Sequence, residues 1–419
     1  MTQLDLISDT ADTIRSWDPA REAALERLRR FVPSSGRTYA DTRNHDFGPD
    51  NRSNISALSP WIRHRVILEE EVLAATLNRF SASTAEKFIQ EVFWRGYFKG
   101  WLEQRPDVWI RYRTALAHQI AALDANSGLR KAYCEAVEGR TGIACFDAWA
   151  KELTETGYLH NHARMWFASI WIFTLRLPWE LGADFFYRHL LDGDPASNTL
   201  SWRWVGGLHT KGKTYLAIPD NIARYTGGRF RDTHGLARAA EPLDEPPLGG
   251  RVPIPAASAP PRSGRCVLLI TEEDTHPESW ETGGLTVVAA AGLSLAAHRS
   301  PLPVSPAVER FSSAVVNQGL ARSARHFGLD PGIVLPAENW TGALAALAQA
   351  ADANMIATAY APAGPVGDAL RAAAADLAAA GLMLIQFRRP YDDLVWPHAT
   401  AGFFKVKAKI PQILERLGL

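Results

Sequence analysis

TGYLHNHARM, residues 156–165, and DGDPASNTLSWRW, residues 192–204, decide how this chain is read. Asn161, Arg164 and Met165 stand at i, i+3 and i+4, so on a helix they share one face. Trp166, Ile170 and Phe173 point elsewhere, into packing. Asn198 and Trp202, four residues apart, look the same way as each other. Two readings compete. In one, Arg164 neutralises Asp192 or Asp194 in a core ion pair and the tryptophans are packing, although such pairs are costly to desolvate and weak as stabilisers. In the other, an amide, an arginine, two aspartates and indoles converge on a flat ligand with polar edges. We favour the second.

Working outward, 419 residues suggest two or three domains and ample chain for a buried core. The formal net charge is zero, so a nucleic-acid face would have to be a local patch. Candidates are Arg63, His64 and Arg65; Arg95 and Lys99; His160 and His162; and Arg203, His209, Lys211 and Lys213. Cys134, Cys145 and Cys266 are spaced unlike a metal or disulfide framework, and no metal site is expected. Residues 1–17 hold three aspartates and no signal-peptide pattern, and the apolar run from Met165 to Leu175 is too short to cross a bilayer. A cytoplasmic protein away from the membrane is expected.

Upstream, FIQEVFWR (88–95), Tyr39 with Arg43, and SALSP (56–60) complete a pattern. Together with the two opening motifs they resemble the DNA photolyase and cryptochrome flavoproteins, over roughly residues 20 to 230. The resemblance implies an all-helical FAD-binding domain and FAD as cofactor. Tyr39, Ser56, Ala57, Leu58 and Ser59 would meet the diphosphate, although Ile55 stands where the family often has threonine and Ser53 to Ser56 offer another register. Phe88, Arg95 and Gly193 would line the cofactor. Arg164 and Asp192 would pair beside the ring system, Asp194 would meet its polar edge or ribityl chain, and Asn198 would face N5. A side-chain amide there can accept or donate, so it suits both oxidised and reduced rings.

The same resemblance places Glu91, Asn161 and Met165 against a cyclobutane pyrimidine dimer, with Trp94 and Trp204 as aromatic walls and His162 and Arg203 toward DNA. Histidines replace Asn161 and Met165 in the six-four branch, so that branch is not implied. The implied activity is light-dependent DNA repair, with dimer-containing DNA as partner. Trp202 and Trp179 would carry electrons to the flavin; the third tryptophan of the family falls near Asn126, where Trp109, Tyr112 or Tyr133 could substitute. Three cysteines cannot hold an iron–sulfur cluster, which excludes the cluster-bearing branch. The alternatives are a cryptochrome-type photoreceptor, which would take a protein partner, and a non-catalytic FAD- or DNA-binding scaffold.

After about Phe230 the composition changes. Residues 236–264 are rich in proline and glycine and read as an extended linker between a helical domain, 1–235, and a second domain, 265–419. There, apolar runs at Cys266–Ile270, Leu285–Ala291, Asn354–Ala359 and Leu382–Phe387 alternate with helical stretches at Val308–Phe327 and Asp368–Ala380. The pattern predicts a Rossmann-like α/β domain with a parallel sheet. The stretches Leu268 to Asp274, Tyr391 to Pro397 and Gly402 to Val406 resemble the start and end of the family's antenna domain, implying a permuted domain order. No GxGxxG or Walker pattern marks a nucleotide there. Neither a second antenna chromophore nor the oligomeric state has a sequence signal.

Overall fold

The computed structural model describes residues 17–256, 261–280 and 282–419; the N-terminal stretch read above for targeting signals lies almost wholly outside them. Twelve α-helices come first: α1 Arg21–Phe31, α2 Arg37–Thr42, α3 Ser59–Arg63, α4 Glu69–Leu77, α5 Glu86–Glu103, α6 Pro106–Ala125, α7 Ser127–Val137, α8 Ala144–Thr156, α9 Asn161–Ser169, α10 Trp179–His189, α11 Pro195–Val205 and α12 Pro219–Tyr225. Their shared core is aromatic, with Trp149, Trp166, Trp171 and Trp202 fully buried. Glycine sets two of its close contacts. Gly157, at φ +66°, ends α8 in the left-handed region. A Cβ on Gly182 would lie 2.4 Å from the Trp202 ring, so α10 can approach α11 only because none is there. Directly after α9 the chain widens into a π-turn at Ile170–Thr174.

The second half holds β1 Gly264–Thr271, β2 Leu285–Leu293, α13 Pro306–Phe327, β3 Ile333–Val334, α14 Trp340–Ala350, β4 Met355–Ala359, α15 Pro365–Ala379, β5 Met383–Phe387 and the short helices α16 Pro390–Val395, α17 Phe404–Lys407 and α18 Ile410–Arg416. The sheet order is β3-β2-β1-β4-β5 and every pairing is parallel. Central β1 explains its own apolar run. Val267 and Leu269 enter one core, while Cys266, Leu268 and Ile270 enter another on the opposite face. A strand buried on both sides has no polar face to show. The α plus α/β architecture is as expected, with β3 and α14 as elements the pattern did not reveal.

Helix α5 joins the halves. Gly96 and Gly100, one turn apart, let Tyr391, Val395 and Trp396 come against its backbone; a Cβ on Gly100 would sit 2.6 Å from the Trp396 Cα. The proline-rich segment, in which the described residues form no regular element, is strapped across the helical domain. Leu243 N–H donates to Gly206 O at 2.9 Å and Val252 N–H to Gln104 O at 3.0 Å. Arg111 donates to the carbonyls of Pro246 and Pro247. Prolines lack donors but keep acceptors, so arginine is a natural partner for such chain. Among the described residues no helix is long and apolar enough to cross a membrane.

Candidate functional site

One backbone hydrogen bond, Leu191 N–H to Gly157 O at 2.9 Å, draws the two opening motifs to one place. Asn161, Arg164 and Met165 lie on α9, whose N-cap His160 accepts the His162 N–H on Nδ1 at 3.1 Å. Arg164 Nη2 donates to Asp192 Oδ2 at 2.8 Å and its Nε to Leu159 O. Ser59 Oγ, from α3, donates to the same carboxylate oxygen at 2.5 Å. Burial alone would raise the Asp192 pKa; the Arg164 charge and these two hydrogen bonds outweigh it and hold the carboxylate below its ordinary range.

Asp194 caps α11 through the Ser197 N–H at 2.8 Å and lies 3.6 Å from Lys99 Nζ and 3.8 Å from Arg63 Nε. It is buried, a cost its neighbouring cations overcome, so its pKa is also lowered. Gly193 presents its carbonyl to Arg63 Nε at 2.9 Å. Asn198 donates to Ala183 O at 2.8 Å, which leaves its side-chain oxygen on the other side. Along α5, Phe88 packs edge-on to Tyr39, Glu91 is ion-paired with Arg43, and Arg95 is half-buried. Ser56 and Ser59 are half-buried, Leu58 is fully buried, and Ala57 sits between Ser56 and Leu58 at φ +48°, a strained conformation for a non-glycine residue.

Some of the buried polar atoms left without partners lie on the motif residues. Arg95 Nη1, His160 Nε2, Asp192 Oδ1 and Trp202 Nε1 are buried without a hydrogen-bond partner. Buried polar groups are nearly always bonded. These four sit on motif residues, as do the unbonded Thr199 Oγ1 and Arg203 Nε, and the half-exposed Glu91, Trp94, Arg164 and Met165 and the exposed Asn161 belong to the same motifs. A polar-edged group such as FAD would satisfy the four atoms. The two described surface hollows, of about 310 and 560 Å³, have other linings: Arg37, Ser83 and Lys87 among the first, Arg113, His298 and Pro365 among the second.

On the expected DNA side, Trp204 is half-open and lies 5.6 Å from the Tyr215 ring. His162 stacks on Trp166 and uses both ring nitrogens within the protein, on Asn44 O and the Tyr215 hydroxyl. Arg203 requires correction. It is 2 % exposed and bonded to Glu245 of the proline-rich strap, so it does not face solvent. The patch expected at Arg63, His64, Arg65 and Lys99 is likewise internal. Arg63 meets Glu273 at 2.5 Å, Arg65 meets Asp392 at 2.7 Å, and the His64 N–H side faces Glu272 O at 2.6 Å. Lys99 sits between Asp194 and Glu273. The loop after β1 is therefore the missed neighbour of the site, and nothing local in sequence signals it.

Trp202 has ring contacts with Phe167, Trp171 and Phe186, whereas Trp179 packs on Tyr112. Trp171, 6.1 Å from Trp202 and 6.2 Å from Tyr133, was not singled out because it reads as helix packing.

A helical domain that gathers these motifs around orphaned polar atoms is the arrangement that the sequence resemblance implies. Residues 88–227, within the helical half of the chain, match the family described as the FAD binding domain of DNA photolyase. The deoxyribodipyrimidine photo-lyase of Thermus thermophilus is 33 % identical over 209 residues, 48 % of this chain and 46 % of the relative. That of Agrobacterium fabrum is 30 % identical over 52 % of this chain and 44 % of its own length. A class III photolyase structure from Agrobacterium tumefaciens overlaps 52 % of this chain and 44 % of that one at 25 % identity, with a TM-score of 0.42. The chain spans less than half the length of these relatives.

Proposed function

We propose that the protein binds FAD in the helical domain and repairs cyclobutane pyrimidine dimers in DNA under light. The observation that carries this reading is the half-exposed set of Glu91, Trp94 and Met165, with exposed Asn161, alongside the Arg164–Asp192 ion pair. Arg164, Asp192, Asp194, Asn198, Arg95 and the Tyr39 and Ser56–Ser59 segments would hold the cofactor. Bound there, FAD would supply light-driven electron-transfer chemistry with no net redox change.

The chain's own groups do the rest. A dimer stacks and pairs poorly, so it costs less to extrude than a normal base step, and Trp94 and Trp204 offer replacement stacking. Glu91 meets the pyrimidine edge. Burial raises its pKa and the Arg43 charge and hydrogen bond oppose that rise. Asn161 and Met165 flank the dimer from α9. Three cysteines without disulfides accord with a reducing, cytoplasmic setting.

The test is illumination of the reduced holoprotein with dimer-containing oligothymidylate. Recovery of thymine absorbance is expected. Flavin photoreduction without recovery would favour a photoreceptor, and a protein unable to take up FAD would favour a scaffold.

A further inference from the structure

We propose that Phe404 and the short helix α17 belong to the DNA face, and that the Phe404 ring enters the duplex to fill the space left by an extruded dimer. The inference rests on the repair reading above. It assigns to the lesion side an element contributed by the far end of the chain.

Phe404 is 81 % exposed, the most open of the large apolar side chains described. One exposed ring is ordinary in itself. Its position is what matters. The preceding residue, Phe403, is buried and stacks on Trp94, ring centroids 4.0 Å apart and planes at 12°. At the other end of α17, Lys407 Nζ lies 3.0 Å from Glu86 Oε1 in the first turn of α5. The helix is thus pinned along the half of α5 that carries Glu91 and Trp94, with Phe404 left projecting.

The surroundings suit a polyanion. Lys405 and Lys409 are exposed on and beside α17, and Lys87 is exposed on α5. Arg37 and Lys87 line the hollow of about 310 Å³ at the same end of α5, whose one acid, Glu86, is already paired with Lys407. On the other flank, Tyr97 bonds both Ala401 O at 2.8 Å and His209 Nε2 at 3.0 Å, tying the segment before α17 to the loop that carries exposed Lys211 and Lys213. A chain of zero net charge has gathered exposed cations around one projecting aromatic ring. Proteins that unstack DNA commonly wedge an apolar side chain into the opened step, which offsets part of the unstacking cost.

A wedge of this kind acts only where a second strand leaves a gap. Anisotropy titrations with the holoprotein would compare one thymine dimer in a duplex and in the same strand alone. Phe404→Ala should weaken duplex binding about tenfold, the equivalent of ~1.4 kcal/mol of lost stacking. Single-strand affinity should change far less, and Phe404→Trp should restore duplex binding. FAD content and melting temperature of Phe404→Ala should match those of the wild type, since the ring is open to solvent. Unchanged duplex binding, or equal loss on both substrates, would overturn the assignment. A wild-type protein with no preference for dimer DNA would instead bring down the repair reading, and is recognisable before any variant is made.

Discussion

Two charged regions lie back to back on Asp194. On one side, Arg95, His160, Asp192 and Trp202 keep buried polar atoms without partners, and their motifs also carry half-exposed residues. On the other, the carboxyl ends of β1 and its neighbours, where a doubly wound sheet offers a ligand crevice, are filled by the protein itself. Glu273 holds Arg63, Asp274 holds Arg389 at 2.6 Å, and Asp392 holds Arg65. Both regions are rich in charge and both keep some unbonded atoms, Arg65 Nε among them, but in the second each of these arginines is already held by a carboxylate of the protein. The difference teaches that charge content alone does not mark a site; what matters is how much of it the protein has already paired with itself.

The largest expected effect is on the closed region. Arg63→Ala leaves Glu273 and Asp194 buried with less compensation, and should cost about 3–5 kcal/mol of unfolding free energy in urea. A loss below about 1 kcal/mol would mean solvent reaches the network.

In the open region, His160 should tilt stability with pH. Burial, foremost, lowers its folded pKa from 6.5 to about 4. The unfolded chain therefore takes the proton first, so this contribution is complete above pH 6.5 and is lost as pH falls toward 4, by about 3 kcal/mol in all. His160→Gln should flatten that limb in parallel denaturations. An identical pH profile would place the imidazole in contact with water.

FAD should distinguish the two regions thermodynamically. At a hundredfold excess over its dissociation constant it should stabilise the apoprotein by about 2.7 kcal/mol. Asp192→Asn should weaken this linkage roughly tenfold or more by removing a charged hydrogen-bond acceptor, whereas Asp392→Asn, in the closed region, should leave FAD affinity near wild type. Equal losses in both variants would show that the regions are not separable.

The smallest effect belongs to the half-exposed Arg43–Glu91 pair. Arg43→Ala should change fold stability by about 1 kcal/mol or less, while repair yield responds through Glu91. A change of several kcal/mol would reclassify the pair as structural.

Much of this was legible from residues. The runs at Cys266–Ile270 and Asn354–Ala359 announce strands because parallel strands buried on both faces carry no polar alternation. β3 escaped because it is two exposed residues long, and α14 because its alanine-rich run lacks a strong polar face. Asn161, Arg164 and Asp192 could be grouped from spacing and resemblance. Arg203 could not be placed, since its partner Glu245 lies in a stretch that reads as free linker.

By itself the chain determined its helices and strands, the single face of α9 and the two motif loops, because those follow from neighbours a few residues apart. Only the tertiary structure decided that Arg63, Arg65 and Lys99 would be interior and Phe404 open to solvent. Burial of these charges depends on counter-charges arriving from far along the chain, as Glu273 does for Arg63 from 210 residues away. No local pattern encodes that arrival; packing of one domain on the other supplies it.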